Sequence, residues 1–219
     1  EQLRSGWGAL LKPLAWQGVL CYGPSRSSKV TFTNPASFLK NWNGLPDPAE
    51  AAPAVIKRYL SAYGPASPET FDAWLSRNSN KKSTLKSWFA SLGEQIVEVR
   101  VKDETRYLLA EHEDELAATR PSRATHLLGA FDQFVLGPGT KDTHMLANKH
   151  RSRVSKAAGW IAPVLTQGGR ITGVWEMDDG YLIVTPFPGE QAPPSKVLED
   201  AAARLAAVHG LVKVTLRVG

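Results

Sequence analysis

Between Asp47 and Ala110 the chain carries three amphipathic segments followed by a run that alternates with period two. No other feature limits the available folds as tightly. Asp47, Pro48 and Glu50 supply an N-cap, a proline at the first helical position and a carboxylate at the third. They predict a capping box that opens a helix burying Val55, Ile56, Tyr59 and Leu60. Gly64-Pro65 stops it, with glycine expected in the left-handed cap conformation and proline unable to continue the ladder. Ser67-Pro68-Glu69 repeats the start signal for a shorter helix whose buried face is predicted at Phe71, Trp74 and Leu75. In the third segment Leu85, Trp88, Phe89 and Leu92 recur at helical spacing, leaving Lys81, Lys82, Lys86 and Ser87 on the solvent side. From Gln95 the period changes. Val97, Val99 and Val101 alternate with Glu98 and Arg100, Lys102-Asp103-Glu104 turns the chain, and Arg106 to Ala110 returns.

Three helices and a charged hairpin in this order predict a winged helix, a helix-turn-helix variant that sets one helix and one hairpin side by side against duplex DNA. Lysines on a single helix are ordinarily a solvated face. These lie on the helix that enters the major groove in helix-turn-helix folds, with Arg100, Lys102 and Arg106 on the adjoining hairpin, and so point to phosphate contact. Such contacts position a protein on DNA without reading its bases.

The whole-chain charge agrees. Twenty-six Lys and Arg against 21 Asp and Glu give +5, which favours a polyanionic partner, here double-stranded DNA. No apolar run approaches the ~18 residues of a membrane span, so no membrane association is expected. The lone Cys21 rules out an intramolecular disulfide framework, suits a reducing compartment, and is expected as a buried small hydrophobe. These features predict a cytoplasmic, nucleoid-associated protein, with a monomer favoured. The five histidines show neither zincin spacing nor a partner cysteine cluster, and no P-loop or dinucleotide fingerprint is present, so neither metal nor cofactor is expected. Glycosyl-bond chemistry would need a positioned carboxylate or amide. Asp132 and the acids of Glu111 to Glu115 have no partner evident in sequence; Asp132 is expected to be structural, and no residue is assigned a catalytic role.

Before Asp47, Arg4 to Leu20 is predicted as an amphipathic helix with Trp7, Leu10, Leu11, Leu14 and Trp16. A strand, a glycine-containing tip and a second strand follow from Leu20 to Thr33, placing Arg26 and Lys29 near the turn as further candidate DNA contacts. Helix plus hairpin is the last half of another winged helix, so residues 1–46 are expected to be the C-terminal part of one whose first helices lie upstream. Residues 47–112 form the second.

Residues 113–219 are predicted as a β-rich α+β domain, mostly antiparallel, with a C-terminal helix. After a short helix and connector, Ala124 to Leu136 is expected as a strand bent at Gly129. The loop-rich stretch from Gly137 to Ala158 holds the densest basic cluster, Lys149, His150, Arg151, Arg153 and Lys156, either a solubilising loop or a backbone grip. Trp160–Leu165, Arg170–Glu176 and Tyr181–Pro186 predict a meander with turns at Gly168-Gly169 and Asp179-Gly180. Ser195 opens a helix expected to bury Val197, Leu198, Ala201, Ala202, Leu205 and Val208. The last strand then points Val212, Val214, Leu216 and Val218 inward.

Trp7–Ala15 with Gly18–Gly23, Arg58–Pro68 with Phe71 and Trp74-Leu75, Leu127–Asp132, His150-Arg151, Gly159–Val164 and Gly168–Trp175 follow one another along the chain. In this order the blocks resemble the winged-helix DNA-binding family that includes the AlkZ-type and YcaQ-type DNA glycosylases. The resemblance implies tandem winged helices and a β-rich C-terminal domain around duplex DNA, in a bacterial-type DNA repair glycosylase acting on alkylated or crosslinked DNA. It also implies a Gln-x-Gln or Gln-x-Asp catalytic motif near the N-terminus of the full protein. None of Gln2, Gln17, Gln95, Gln133, Gln167 and Gln191 is followed two residues later by Gln or Asp. The chain is therefore expected to be a non-catalytic C-terminal portion. The alternatives are a winged-helix transcription regulator with a C-terminal sensing or dimerisation domain, or a protein-interaction module.

Overall fold

A computed structural model describes residues 11–178, 180–208, 210 and 214–219. The chain is a mixed α+β fold that divides into two compact units, residues 1–52 and 53–219. No helix among the described residues is long and apolar enough to cross a membrane.

In the first unit, helix α1 (Lys12–Trp16) has Pro13 in its first turn and ends at Gln17. The helix expected from Arg4 to Leu20 is thus shorter at its C-terminal end, and its first part, with Trp7 and Leu10, lies outside the described residues. Gly18 stops it for two reasons. Its φ is +71°, and a Cβ there would come within 2.8 Å of Leu45. Strands β1 (Cys21–Arg26) and β2 (Lys29–Thr33) form an antiparallel hairpin with an irregularity between Gly23 and Arg26. Tyr22 stacks on Phe32 across the ladder at 5.3 Å. Cys21 is half-buried, not fully buried as expected.

Helix α2 (Pro48–Tyr63) opens with the Asp47 carboxylate accepting from the Ala49 N–H. Gly64 ends it for a reason other than the one predicted. Its φ is not positive; a Cβ there would sit 2.5 Å from the Leu60 carbonyl oxygen. Helix α3 (Pro68–Ser76) is opened by a reciprocal cap between Ser67 and Thr70. Phe71 is buried as predicted, but Trp74 and Leu75 are exposed and the second buried position belongs to Asp72. This carboxylate accepts from Ser76 Oγ and Asn80 Nδ2, so it ties the turn between α3 and the next helix.

Helix α4 (Lys82–Ala90) buries Leu85 and Phe89. Strands β3 (Ile96–Val101) and β4 (Glu104–Leu109) then pair antiparallel, and Glu104, expected in the turn, opens β4 opposite Val101 so that only Lys102 and Asp103 reverse the chain. Ala66 adds a bridge to Tyr107 on the outer side of β4. Ile56, Tyr59, Leu60, Phe71, Leu85, Phe89, Leu92 and Leu109 close this core. Full burial of one such side chain contributes about 1.5–3 kcal/mol.

Helix α5 (Glu113–Ala118) leads to a five-stranded sheet of order β5-β6-β7-β8-β9. Its strands are β5 (Thr125–Leu128), β6 (Val164–Gln167), β7 (Arg170–Asp178), β8 (Tyr181–Pro186) and β9 (Thr215–Val218). The first four are antiparallel neighbours. β9 runs parallel to β8, which requires a crossover, and helix α8 (Ser195–Val208) supplies it. The predicted strand over Ala124 to Leu136 ends at Leu128. Asp132 accepts from the Phe134 N–H and opens a helical turn, α6 (Gln133–Leu136), so its carboxylate has the structural role expected of it.

Successive strand residues serve opposite faces. Val164 joins Val135, Leu146, Val154, Ile171 and Phe187 on one, and Leu165 joins Trp175, Leu182, Val184, Leu198 and Ala202 on the other. On α8, Leu198, Ala201 and Ala202 are buried as predicted and Leu205 is half-buried, whereas Val197 and Val208 are exposed. Leu216 is half-buried and Val218 exposed, while Val212 and Asp179 lie outside the described residues.

Contacts cross residue 112 within the second unit. The Tyr59 hydroxyl donates to the Gly137 carbonyl at 3.1 Å, and Arg106 reaches Asp142.

Candidate nucleic-acid interface

The predicted basic residues separate into three groups. On α4, Lys81 occupies the N-cap position and Lys82, Lys86 and Ser87 are exposed along the helix. Lys82 and Lys86 share a groove of about 510 Å³ with Glu69, Glu98 and Tyr107, between α4 and the β3–β4 hairpin. Arg100 is exposed on β3, and Lys102 is exposed at the hairpin turn with φ +55°. Arg26 and Lys29 face each other as the last pair of the β1–β2 hairpin in the first unit. Among the described residues none of these cations forms an ion pair. An unpaired, exposed cation keeps its full charge for a polyanion.

Arg106 is a correction. Its side chain is only 10% exposed, donates to Asp142 Oδ2 at 3.0 Å and to Glu104 Oε2 at 2.9 Å, and also reaches the Pro65 carbonyl. Burial opposes its charge, but the hydrogen bonds to Glu104 and Asp142 outweigh that and hold the guanidinium above its ordinary pKa. The same hydrogen bond from Arg106 holds the Glu104 carboxyl below the usual carboxylate range. Arg106 therefore clasps the hairpin to the loop before Leu146 and is not presented to a partner.

The cluster at 149–156 is also redistributed. It lies on a 3-10 turn (Asn148–His150) and the short helix α7 (Arg151–Val154), not in an open loop. Lys149, Arg153 and Lys156 are exposed and Arg151 is half-buried. His150 is buried, its ring stacked on Phe187 at 4.5 Å, so it too is withdrawn from the surface. Burial, then the positive charge of Lys149, pushes its pKa down, which favours the neutral ring. Two basic residues that sequence reasoning passed over, Arg77 after α3 and Lys141 in the loop before Asp142, line a second cleft together with Arg151.

A model of the family described as DNA glycosylase AlkZ-like matches residues 2–208. The chain belongs to the AlkZ-like DNA glycosylase family. The interstrand DNA cross-link repair glycosylase of Streptomyces sahachiroi is 54% identical over 219 residues, covering 100% of this chain and 59% of the relative. The solved structure of Streptomyces sahachiroi DNA glycosylase AlkZ superposes with a TM-score of 0.93 over 99% of this chain and 59% of that one. This AlkZ-like chain thus spans less than two thirds of the length of the relatives it matches.

Several glutamines of the AlkZ-like chain have structural partners. Gln133 accepts from the Tyr63 hydroxyl, Gln95 accepts from Lys57, and Gln167 donates to Thr172 and to the Gln191 carbonyl. No group of three or more His, Cys, Asp and Glu side chains among the described residues is arranged to hold a metal ion.

Proposed function

We propose that this chain is the DNA-gripping, non-catalytic portion of an AlkZ-like repair glycosylase that acts on alkylated or crosslinked duplex DNA. In this reading residues 47–112 are a winged helix with α4 as its recognition helix and β3–β4 as its wing. Residues 1–46 are the end of a preceding winged helix, and residues 113–219 are the β-rich C-terminal domain. The observation that carries the reading is the face of α4. Lys81, Lys82, Lys86 and Ser87 stand exposed on the third helix of a three-helix-plus-hairpin array, and Arg100 and Lys102 stand exposed on the hairpin, with no ion pair among the described residues. Arg26, Lys29, Lys149 and Arg153 extend the set, while Arg106 and His150 leave it.

The fluorescence anisotropy of a short unmodified duplex, titrated at several salt concentrations, tests this. Displaced counterions make log affinity fall linearly with log salt, by about 0.9 for each phosphate neutralised. A slope of about −3 or steeper is the expected result; duplex affinity that does not change with salt overturns the reading.

A further inference from the structure

We propose that the cleft between α3, β4 and the loop at 138–143 is a phosphate site, in which Arg77, Lys141 and Arg151 hold one phosphodiester group of a nucleic-acid backbone. The cleft measures about 810 Å³. Its walls come from segments far apart in sequence, and none of them is a helix N-terminus acting alone.

The Arg151 Nε atom is buried and has no hydrogen-bond partner, and among the described residues its guanidinium makes neither hydrogen bond nor ion pair. A ligand atom cannot reach the buried Nε, so an anion in the cleft would be held by the Nη groups of Arg151, which are likewise without a partner among the described residues. Arg77 and Lys141 are exposed in the same cleft and are also without an ion-pair partner among the described residues.

Three carboxylates line the cleft as well. Asp142 and Glu104 are both engaged by Arg106, which also lines the cleft, so four cations face the three carboxylates and the lining is positive by one charge. The hydroxyls of Thr105, Thr140 and Thr143 add neutral donors. A guanidinium presents two parallel donors to two phosphate oxygens, a match that a compact ammonium cannot make, so Arg151 is the orienting group and Lys141 supplies point charge.

A phosphate ester has two sources, a nucleic-acid backbone or a small phosphorylated molecule, and the backbone assignment rests on the DNA-binding reading above. Two measurements on the full chain separate them. The first is the salt dependence of duplex binding for wild type, Arg77→Gln/Lys141→Gln, Arg151→Gln and Arg151→Lys. The exposed double substitution guards against misfolding, and the lysine variant tests geometry at constant charge. The second is protection against thermal unfolding by inorganic phosphate relative to chloride at constant ionic strength.

The expected result is that phosphate raises the wild-type Tm more than that of Arg151→Gln, its general stabilising effect being common to both, and that Arg151→Gln and the double variant each flatten the slope by about 0.9. That difference is worth about 3.5-fold in relative affinity between 50 and 200 mM salt. Arg151→Lys should keep the slope and lose affinity. Phosphate protection with an unchanged duplex slope overturns the backbone source, because the site then serves a free phosphorylated molecule while the α4 reading stands. Equal phosphate stabilisation of wild type and Arg151→Gln, with no change in slope, overturns the site itself. Absence of all duplex affinity refutes the DNA-binding reading and the backbone source with it; the phosphate arm then decides the anion site alone.

Discussion

Asp142→Asn is the substitution whose cost follows most directly from this structure. The Asp142 side chain is 5% exposed and that of Arg106 is 10% exposed, with 3.0 Å between Nη1 and Oδ2. The other carboxylate oxygen accepts from the His144 N–H at 2.8 Å. An asparagine keeps that second bond through its carbonyl oxygen, but sets an amide nitrogen, which cannot accept, against the guanidinium. Removing one partner of a buried pair costs about 3–5 kcal/mol, chiefly by stranding the other charge. Here Arg106 retains Glu104, whose side chain is 57% exposed, so the expected loss is smaller, about 2–3 kcal/mol. At roughly 2–4 °C per kcal/mol for a unit of this size, Tm should fall by about 4–12 °C. Urea denaturation followed by far-UV circular dichroism, with calorimetry for Tm, reads both quantities. The paired substitution Arg106→Met/Asp142→Leu should cost less than Asp142→Asn, since the one charge it frees, Glu104, is 57% exposed and solvated. Asp142→Asn within about 0.5 kcal/mol of wild type would refute the clasp and return Arg106 to the set of free cations.

His150 should make stability pH-dependent. Its folded pKa lies below the ordinary value, so the unfolded chain binds a proton first as pH falls through about 6.5, and stability is full above that point and declines below it until the folded pKa is reached. Tm measured from pH 8 to pH 5 should drop less for His150→Gln than for wild type, and parallel curves would remove His150 as the cause. Gly137→Ala should cost about 1–3 kcal/mol in urea unfolding, because the added Cβ would meet the Tyr63 ring; a neutral result would mean that the ring moves aside freely. Asp72→Ala should cost about 1–3 kcal/mol by leaving Asn80 and Ser76 without their acceptor, with Asp72→Asn restoring part of it, and an undisturbed midpoint for both would show that the carboxylate does not tie the α3–α4 turn.

Helices α2 to α4 and the β3–β4 hairpin were readable because their signals are local: caps at Asp47 and Ser67, helical spacing through Phe89, then a change of period at Gln95. What sequence missed depends on partners far along the chain. Arg106 looks like any strand arginine until Asp142, 36 residues later, folds over it. His150 sits in a basic run and is withdrawn only because Phe187 stacks on its ring. The stretch after Gly129 was apolar without a clear period, and the Asp132 cap that makes 133–136 helical was overlooked beside the apolar run. On α8, Val197 and Val208 satisfy helical spacing but fall outside the stripe that the sheet covers. The parallel placement of β9 follows from the α8 crossover, which no residue pattern in β9 itself encodes. Arg77 and Lys141 each looked like an isolated surface charge, and only the fold brings them to one cleft; the glycine-rich loop from Gly137 to Asp142 was the available hint.

The exposed face of α4 is the proposed contact with the DNA backbone, and the triple substitution Lys81→Ala/Lys82→Ala/Lys86→Ala probes it. Duplex affinity should fall about equally for unrelated sequences, and the salt slope should flatten by about 0.9 for each lost contact, up to about 2.7 if all three lysines touch phosphate. A slope equal to that of the wild type would take α4 out of the interface and contradict the account.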